Sequence, residues 1–480
     1  MSRSLRTPAS SIAAILVAAA ASHAQTQCGS EDAKVSPTTG LDGDNFGSSF
    51  DAAAAGFGIV GAPDAGDEAG GGAGRAYLYT LNTAVPQLLF ELLPDDAIAN
   101  QQFGSEVAAD NALALVGAPF DGELGPAAGA AYLFLRSTGT QLDKLTASDG
   151  RGLDLFGNAL DVDFDRAVVA APDKSSATGA VYVFEVVGTD AVERFKLTAS
   201  DAAAVDRFGS SVAIDGGGVT AGEVAYALIG APLNDDVGSS SGSAYLFNIE
   251  TGEEIAKILP DDGAMGDNFG AAVDLLIEGD VALAAIAATG ANPDGSDGSV
   301  YLFDVSNRSA PVQLARVTAT DTFTPGDFGV SVSLTAEVLL AGALSGETSL
   351  AGTAYTFDIT DPAAPIQTAI IRPTDPVPFA RFGSSASLYE GPTGLRLFVG
   401  APADDAGTPI AGDPGVGALH AFTLDFCRPD IDGDCLLTLF DFLGFQNLFD
   451  AGDLAADFDG DGSLTLFDFL AFQNAFDAGC

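Results

Sequence analysis

Residues 156–186 read FGNALDVDFDRAVVAAPDKSSATGAVYVFEV, and the order of features in this stretch decides the fold. It opens with a Phe-Gly pair, continues through a short apolar segment that ends in Ala-Ala-Pro, and closes with an aromatic segment after a loop of small and polar residues. Short apolar or aromatic runs between clusters of Gly, Pro, Asp and Ser are typical of β-strands joined by turns. The stretch therefore predicts a series of short β-strands.

The same arrangement recurs along most of the chain. A fourth apolar segment, such as LDKLTASD at 142–149, completes each copy, and no helical stretch separates the copies. Four strands per copy, repeated seven times, predict an all-β, seven-bladed β-propeller over residues 25–426. The Phe-Gly pairs, spaced 52 to 61 residues apart, begin at Phe46, Phe103, Phe156, Phe208, Phe269, Phe328 and Phe382.

The two ends of this region complement each other. The seventh copy stops after its third strand, ALHAFTL at 418–424, whereas AKVSPTTG at 33–40 aligns with the fourth strands of other copies. An open sheet edge invites aggregation, so a propeller gains from closing its ring. We therefore predict that the N-terminal segment supplies the fourth strand of the seventh blade.

This pattern resembles the FG-GAP repeats of integrin α-subunit propellers over residues 34–426. The resemblance implies the fold and is compatible with adhesion or ligand recognition. Some blades of that family carry a calcium loop between their first and second strands, but here those loops are short. Only Asp161, Asp163 and Asp165 alternate, and Arg166 stands at the glycine position. These acids could bind a metal ion or could simply be the end of a half-buried strand, and no other blade site is carried over.

One rim of the propeller is predicted to be acidic. The loops between second and third strands should emerge on the same side as the loops that lead into the next Phe-Gly pair, and both sets are rich in Asp and Gly. Asp44, Asp154, Asp206 and Asp267 each stand two places before a Phe. The rim is either a binding face for an extracellular glycan or protein, or an ordinary set of turns, because turns favour these residue types.

Residues 427–480 contain a 27-residue unit twice in succession. Each copy places side-chain oxygens at positions one, three, five and twelve of a twelve-residue loop, with a backbone carbonyl at position seven, which suits a hard cation. Gly462 provides the sharp turn of the second loop, where the first has Cys435. The pattern predicts two bound Ca²⁺ ions, held by Asp430, Asp432, Asp434, Leu436 and Asp441 in the first copy and by Asp457, Asp459, Asp461, Ser463 and Asp468 in the second.

A Phe-rich helix follows each loop. Phe442, Phe445 and Phe449 recur at helical spacing, which predicts a core between the two helices. The remaining apolar residues are surplus to so small a core, because a 54-residue unit cannot bury two apolar faces alone. They are Leu439, Phe440 and Leu443 in the first copy and Leu466, Phe467 and Leu470 in the second, and they are expected to meet either the propeller or a partner.

The tandem loops with Asp at position twelve resemble a dockerin, a calcium-dependent anchoring module whose partners are cohesins. The ending FDAGC at 476–480 is similar to the Gly-Cys-ended, GC-type dockerin variant. The resemblance implies a cohesin-like anchoring protein as a partner. The alternative is a calcium-stabilised spacer that binds no partner.

The N-terminal segment predicts export. Residues 1–24 combine two Arg, a short apolar run and small residues before a cleavage point, as secretory signal peptides do. A secreted or surface-associated chain with four cysteines is expected to form two disulfides. Cys28–Cys427 with Cys435–Cys480 is the favoured pairing, and Cys427–Cys480 is its rival. A formal net charge of −47 excludes nucleic acid as a partner and favours cations or basic partners.

Catalytic signals are few. After removal of the signal segment a single histidine, His420, remains, and it stands where other copies have Tyr132, Tyr245 or Tyr301. The sequence has no nucleophile elbow, phosphate loop or His-based metal cluster. We therefore expect a monomeric, non-catalytic recognition or adhesion propeller. A secreted hydrolase or lyase acting on polysaccharide is the alternative, since 66 acidic residues offer many carboxylate pairs.

Overall fold

A computed structural model gives the structure of the protein. It describes residues 27–37, 40–41, 43–53, 55–66, 72–216, 224–279, 281–291, 297–319, 327–344, 351–391, 394–404, 415–426, 439–452, 456, 458 and 463–478. The chain divides into two compact units, Gln27–Asp425 and a second unit that includes Phe426–Cys480. The predicted signal segment, residues 1–24, lies outside the described residues.

The first unit is a seven-bladed propeller, which confirms the prediction. Its described residues form seven four-stranded sheets, in which consecutive strands of a blade pair antiparallel. The first four blades consist of β2 (Phe50–Ala53), β3 (Phe57–Ala62), β4 (Arg75–Thr80) and β5 (Gln87–Leu92); β6 (Val107–Ala109), β7 (Leu113–Ala118), β8 (Ala130–Leu135) and β9 (Thr140–Leu145); β10 (Leu160–Asp163), β11 (Arg166–Ala171), β12 (Ala180–Val187) and β13 (Asp190–Leu197); and β14 (Ser211–Asp215), β15 (Tyr226–Ala231), β16 (Ser243–Asn248) and β17 (Glu253–Ile258).

The remaining blades follow the same plan. They consist of β18 (Phe269–Glu278), β19 (Val281–Ala291), β20 (Asp297–Asp304) and β21 (Val312–Val317); β22 (Val332–Leu334), β23 (Val338–Ala343), β24 (Thr353–Asp358) and β25 (Ile366–Ile371); and β26 (Ala386–Gly391), β27 (Gly394–Ala401), β28 (Ala418–Phe426) and the N-terminal β1 (Gln27–Val35). In each blade the first strand is innermost and lines the central channel.

The N-terminal strand closes the ring as predicted. β1 lies beside β28 as the fourth strand of blade seven, although it begins at Gln27, six residues before the predicted segment. Its side chains repeat the contacts of a regular fourth strand. Lys34 pairs with Asp375 at 3.0 Å as Lys196 does with Asp149 at 2.7 Å.

The Phe-Gly pair joins neighbouring blades. Phe103 of blade two forms a bridge with Gly74 of blade one and packs edge-on against Tyr132 of its own third strand, with ring centroids 5.4 Å apart. Gly104 has a φ of +92°, and a Cβ there would lie 2.1 Å from the carbonyl oxygen of Arg75. The glycine is therefore required by both its backbone conformation and the close approach of the adjacent blade.

The second unit contains two helices, α1 (Leu439–Ala451) and α2 (Leu466–Ala478). Phe445 and Phe472 are fully buried, and Phe442 and Phe449 pack against them. The predicted aromatic core is confirmed. Among the described residues no helix is long and apolar enough to cross a membrane.

Candidate functional site

The loops between second and third strands lie beside the loops that lead into the next blade. Bridges such as Gly129–Phe156 and Gly242–Phe269 join the two sets directly. Both sets therefore share one face of the propeller, as the sequence predicted. We call this face the rim.

A polar triad recurs on the rim. An Asp seven places before the Phe of a blade accepts hydrogen bonds from a third-strand Tyr and a fourth-strand Lys or Arg of that blade. In blade three Asp149 accepts from Tyr182 Oη at 2.5 Å and from Lys196 Nζ at 2.7 Å. The equivalent groups are Asp96 with Tyr132 and Lys144, Asp201 with Tyr245 and Lys257, and Asp262 with Tyr301 and Arg316. The fixed offset from Phe is visible in the sequence, but our sequence analysis did not detect the triad.

The four acids that the sequence placed on the rim surface are buried, which corrects that expectation. Each caps a turn by accepting a hydrogen bond from the backbone N–H three residues earlier, as Asp154 does from Arg151 at 2.7 Å and Asp267 from Ala264 at 2.6 Å. Asp44 and Asp206 do the same with Leu41 and Ala203. These acids shape the turns, so the exposed negative charge comes from other residues.

In blades two and seven, which lack the capping acid, a second position carries a buried acid instead. Blades two and seven have Gln101 and Ala380 at the capping position, and there Asp121 and Asp404 are buried two residues after the strand-ending Pro. Asp121 accepts from Tyr132 Oη at 3.1 Å and lies 3.0 Å from Lys144 Nζ. In blade three, where Asp154 caps, the second position is Lys174, which lies 2.7 Å from Asp154. Burying a charge is costly without a partner, so each of these sites keeps opposite charges together.

His420 joins this network in blade seven. It pairs with Val399 as Tyr132 pairs with Val116, which confirms that it is a blade side chain. Its ring nitrogens lie 2.8 Å from Glu31 of β1 and 3.2 Å from Asp404. Burial alone would lower the pKa of His420, but the hydrogen bonds to both carboxylates outweigh it and raise the pKa. Burial likewise opposes ionisation of Glu31, yet His420 and the Thr374 N–H lower its pKa to about 2.

The central channel contains a second group of acids. Asp51, Asp161 and Asp274 stand five places after Phe in blades one, three and five, and they line a cavity of about 300 Å³ together with several serines. Each accepts a backbone N–H from the next blade along the chain: Asp51 from Ala109 at 2.8 Å, Asp161 from Ile214 at 2.7 Å and Asp274 from Leu334 at 2.6 Å. These carboxylates therefore connect neighbouring blades.

The channel raises the pKa values of its acids. Burial is the main cause, and it raises the pKa of Asp51 to about 6, of Asp274 to about 7 and of Glu106 to about 8, although backbone or serine hydrogen bonds oppose it. Burial and the nearby Asp51 charge also raise the pKa of Asp161. Sequence reasoning missed this group, because the blades between carry Ala or Ser at the same position.

Two of the alternating acids of blade three make contacts within the propeller. Asp161 accepts from Val162 and Ile214 N–H groups, and Asp165 lies 2.8 Å from Arg166. Within the described part of the chain, no three His, Cys, Asp or Glu residues are arranged to hold a metal ion.

Three of the ten predicted calcium ligands fall within the described residues. Asp441 and Asp468 are fully buried in the first turns of α1 and α2, at equivalent places in the two copies. Thr465 and Asp468 form a reciprocal cap, because Thr465 N donates to Asp468 at 2.6 Å and Phe467 N donates to Thr465 Oγ1 at 3.1 Å. Ser463 is the third. Outside the described residues lie Asp430, Asp432, Asp434, Leu436, Asp457, Asp459 and Asp461.

The surplus apolar residues of the two helices are exposed at equivalent positions. Phe440 and Phe467 are 70% and 68% exposed, and the leucines of both sets are exposed as well. The predicted disulfides stay a prediction, because Cys427, Cys435 and Cys480 and the side chain of Cys28 lie outside the described residues.

Comparison with known proteins identifies the repeat. The family model described as FG-GAP repeat matches residues 90–134, 140–184, 192–247 and 253–303. Each match runs from a fourth strand to the third strand of the next blade, so the chain contains FG-GAP repeats in blades two to five. No curated protein matches the chain.

Proposed function

We propose that this protein is an exported, non-catalytic recognition or adhesion propeller that a calcium-dependent, dockerin-like C-terminal unit tethers to a cohesin-like anchoring protein. FG-GAP repeats in a seven-bladed propeller fit a ligand-binding or adhesion role. The tether rests on one observation, the duplicated exposed apolar set on α1 and α2.

The exposed set has the composition of a protein interface. Leu466, Phe467 and Leu470 lie on the surface of α2, while Phe445 and Phe472 already fill the core between the helices. Large apolar side chains outside a complete core are typical of the anchors on which protein complexes depend. The set occurs twice, so either copy could contact the same partner.

Calcium binding is compatible with the described part of each loop. Asp441 and Asp468 bring a fully buried carboxylate to the same point of each copy, and a buried carboxylate needs compensating donors or a cation. Eight further oxygen ligands would come from the loops themselves, and their arrangement stays a prediction. Bound Ca²⁺ would neutralise the converging carboxylates and fix each loop against the start of its helix.

The propeller would supply recognition through its rim. Carboxylates such as Asp149, Asp262 and Glu123 are substantially exposed there, while the buried caps hold the loops in place. A rim built on short, hydrogen-bonded loops presents charge in a fixed arrangement, which favours a specific ligand over general attraction.

Capture from the secreting cell tests both halves of the proposal. Immobilised full-length protein should retain an envelope component in calcium and release it in chelator, and the double variant Phe440→Asp/Phe467→Asp should not retain it. A second component should bind independently of calcium through the propeller. Release of reducing ends or unsaturated products from a polysaccharide panel would instead support the enzyme alternative.

A further inference from the structure

The residue three places before the Phe of each Phe-Gly pair has a left-handed backbone in every blade where it is described. The fold imposes this conformation, since the same loop turn recurs whatever the side chain. The residues are Gly43 (φ 89°), Asn100 (65°), Leu153 (70°), Val205 (77°), Gly266 (86°) and Phe379 (67°).

Three of these residues are poorly suited to the conformation. Glycine adopts a left-handed φ without cost and Asn tolerates it, whereas a β-branched or bulky side chain is strained there. Leu153, Val205 and Phe379 are nevertheless 68%, 57% and 58% exposed, so burial in the core does not compensate for the strain. Strained residues of this kind persist most often where they serve a function.

Further exposed apolar side chains lie beside Leu153 and at the junction between blades four and five. The loop that carries Leu124 is joined to the Leu153 loop by a hydrogen bond from Leu153 N to Pro126 O at 2.8 Å. Val205 N bonds to Ser176 O at 3.2 Å across the next blade junction. At the following junction Met265 is 72% exposed, and Gly238 lies against it, next to the exposed Val237. We call Leu124, Leu153, Val205, Val237 and Met265 the apolar arc, which extends across blades two to five.

Negative charge lies between the members of the arc. A single lysine, Lys144, forms salt bridges with Asp96, Asp121 and Glu123 in blade two. In blade four Lys257 forms salt bridges with both Asp201 and Asp236. Blades two and four therefore keep a surplus of carboxylate beside the exposed apolar groups, whereas in blade three Lys174 and Lys196 balance Asp149 and Asp154.

We propose that the apolar arc docks a cationic, amphipathic segment of a partner polypeptide. Its apolar side chains would cover Leu153, Val205 and Met265, and its Lys or Arg side chains would pair with the surplus carboxylates of blades two and four. This proposal rests on the proposed recognition role of the rim and names the chemistry of its ligand. Charge complementarity selects this occupant, because an acidic or uncharged segment would leave the carboxylates unpaired.

A peptide series on the full-length protein tests the proposal. The probes are a synthetic peptide of alternating Lys and Leu, one of Lys and Ser with equal charge, and one of Glu and Leu with equal apolar content. The Lys–Leu peptide should bind at least tenfold more tightly than either comparator. Equal binding of the Lys–Ser peptide would show that charge alone acts and would overturn the proposal.

Glycine substitutions separate binding from stability. Leu153→Gly/Val205→Gly should weaken binding of the Lys–Leu peptide at least tenfold, while the melting temperature stays constant or rises, because glycine relieves the left-handed strain. Val312 is equally exposed at 57% in a regular strand, so Val312→Gly should lower the melting temperature and leave binding unchanged. Full peptide binding by the double variant would refute the proposal.

The proposed peptide site and the proposed recognition role of the propeller can fail separately. If a glycan or another envelope component binds the propeller while the Lys–Leu peptide does not, the ligand chemistry is wrong and the recognition role stands. If the peptide binds and no envelope component does, the arc is a peptide site and the proposed recognition of an envelope ligand fails.

Discussion

Phe445 and Phe472 stack face to face, with ring centroids 4.1 Å apart and ring planes 6° apart. They occupy equivalent positions in the two C-terminal copies, 27 residues apart. The stack therefore lies where a local pseudo-twofold axis would pass between the helices. Each helix presents its apolar surface set in an equivalent environment.

This symmetry predicts how the exposed phenylalanines contribute to anchoring. Phe440→Asp or Phe467→Asp alone should weaken envelope attachment only a few-fold, because the other copy can still contact the partner. The double variant should lose attachment by about two orders of magnitude, as expected when interface anchors are removed. A surface binding assay measures both effects.

Circular dichroism in calcium provides the control for these variants. The helices should stay folded in all three, since both side chains are exposed. Unfolding of a single variant would assign these residues to the core and favour the spacer alternative. A folded double variant that still attaches would place the anchoring surface elsewhere.

Calcium is predicted to fold the C-terminal unit. Without a cation the converging Asp side chains repel one another, so chelation should abolish protease resistance of residues 427–480 and leave the propeller intact. Asp461→Ala should harm the second loop more than Asp434→Ala harms the first, because Cys435 already replaces the turn glycine there. Limited proteolysis followed by mass spectrometry reads out both, and equal resistance with and without chelator would contradict the prediction.

The propeller could be predicted because its signals are local and repeated. Phe-Gly pairs, strand-ending prolines and aromatic third strands recur in the same order, and even Lys34 of the closing strand aligns with Lys144 and Lys196. The structure shows why this alignment works, since Glu31 accepts the Thr374 N–H at 2.7 Å as Glu193 accepts that of Ser148 at 2.9 Å.

The chemistry of the rim and channel could not be predicted in the same way. Whether an Asp in a turn faces solvent or caps that turn depends on distant residues, as the burial of Asp154 beside Lys174 shows. The proximity of Asp51, Asp161 and Asp274 exists only after seven blades close into a ring. An Asp in the sequence indicates neither that it is buried as a turn cap nor that it lies near other acids in the channel.

The closing strand is predicted to weaken at alkaline pH. The raised pKa of His420 means that its protonated form stabilises the folded state below its ordinary pKa of about 6.5. That stability is lost as the pH rises through the folded value. Glu31 and Asp404 face the imidazole and Lys34 lies next to them; the pKa values of the two acids are lowered and that of Lys34 is raised, so these three groups keep their charges over this range. Asp375 pairs with Lys34.

His420→Tyr tests this prediction, because tyrosine occupies the same position in the other six blades. The variant should be about 1–3 kcal/mol less stable at pH 6, where a charged hydrogen bond is lost. Its stability should change less than that of the wild type between pH 6 and pH 9. Chemical denaturation at several pH values measures this, and parallel curves for the two proteins would contradict it.

The channel acids are predicted to make the propeller less stable as the pH rises, and Asp274 offers the clearest test. Its pKa is raised from 3.8 to about 7, so the folded state holds a proton that the unfolded state releases, and stability falls between about pH 4 and pH 7.

Blade six has Ser333 at the position equivalent to Asp274, where its hydroxyl accepts a hydrogen bond from the Leu388 N–H at 3.1 Å. Asp274→Ser can therefore keep the hydrogen bond to the next blade without the charge. At pH 8 the variant should be more stable than the wild type by up to about 4 kcal/mol, and at pH 4 the gain should vanish. Denaturant titrations at both pH values decide the matter, since an equal effect at the two values would show that the charge of Asp274 does not destabilise the ring.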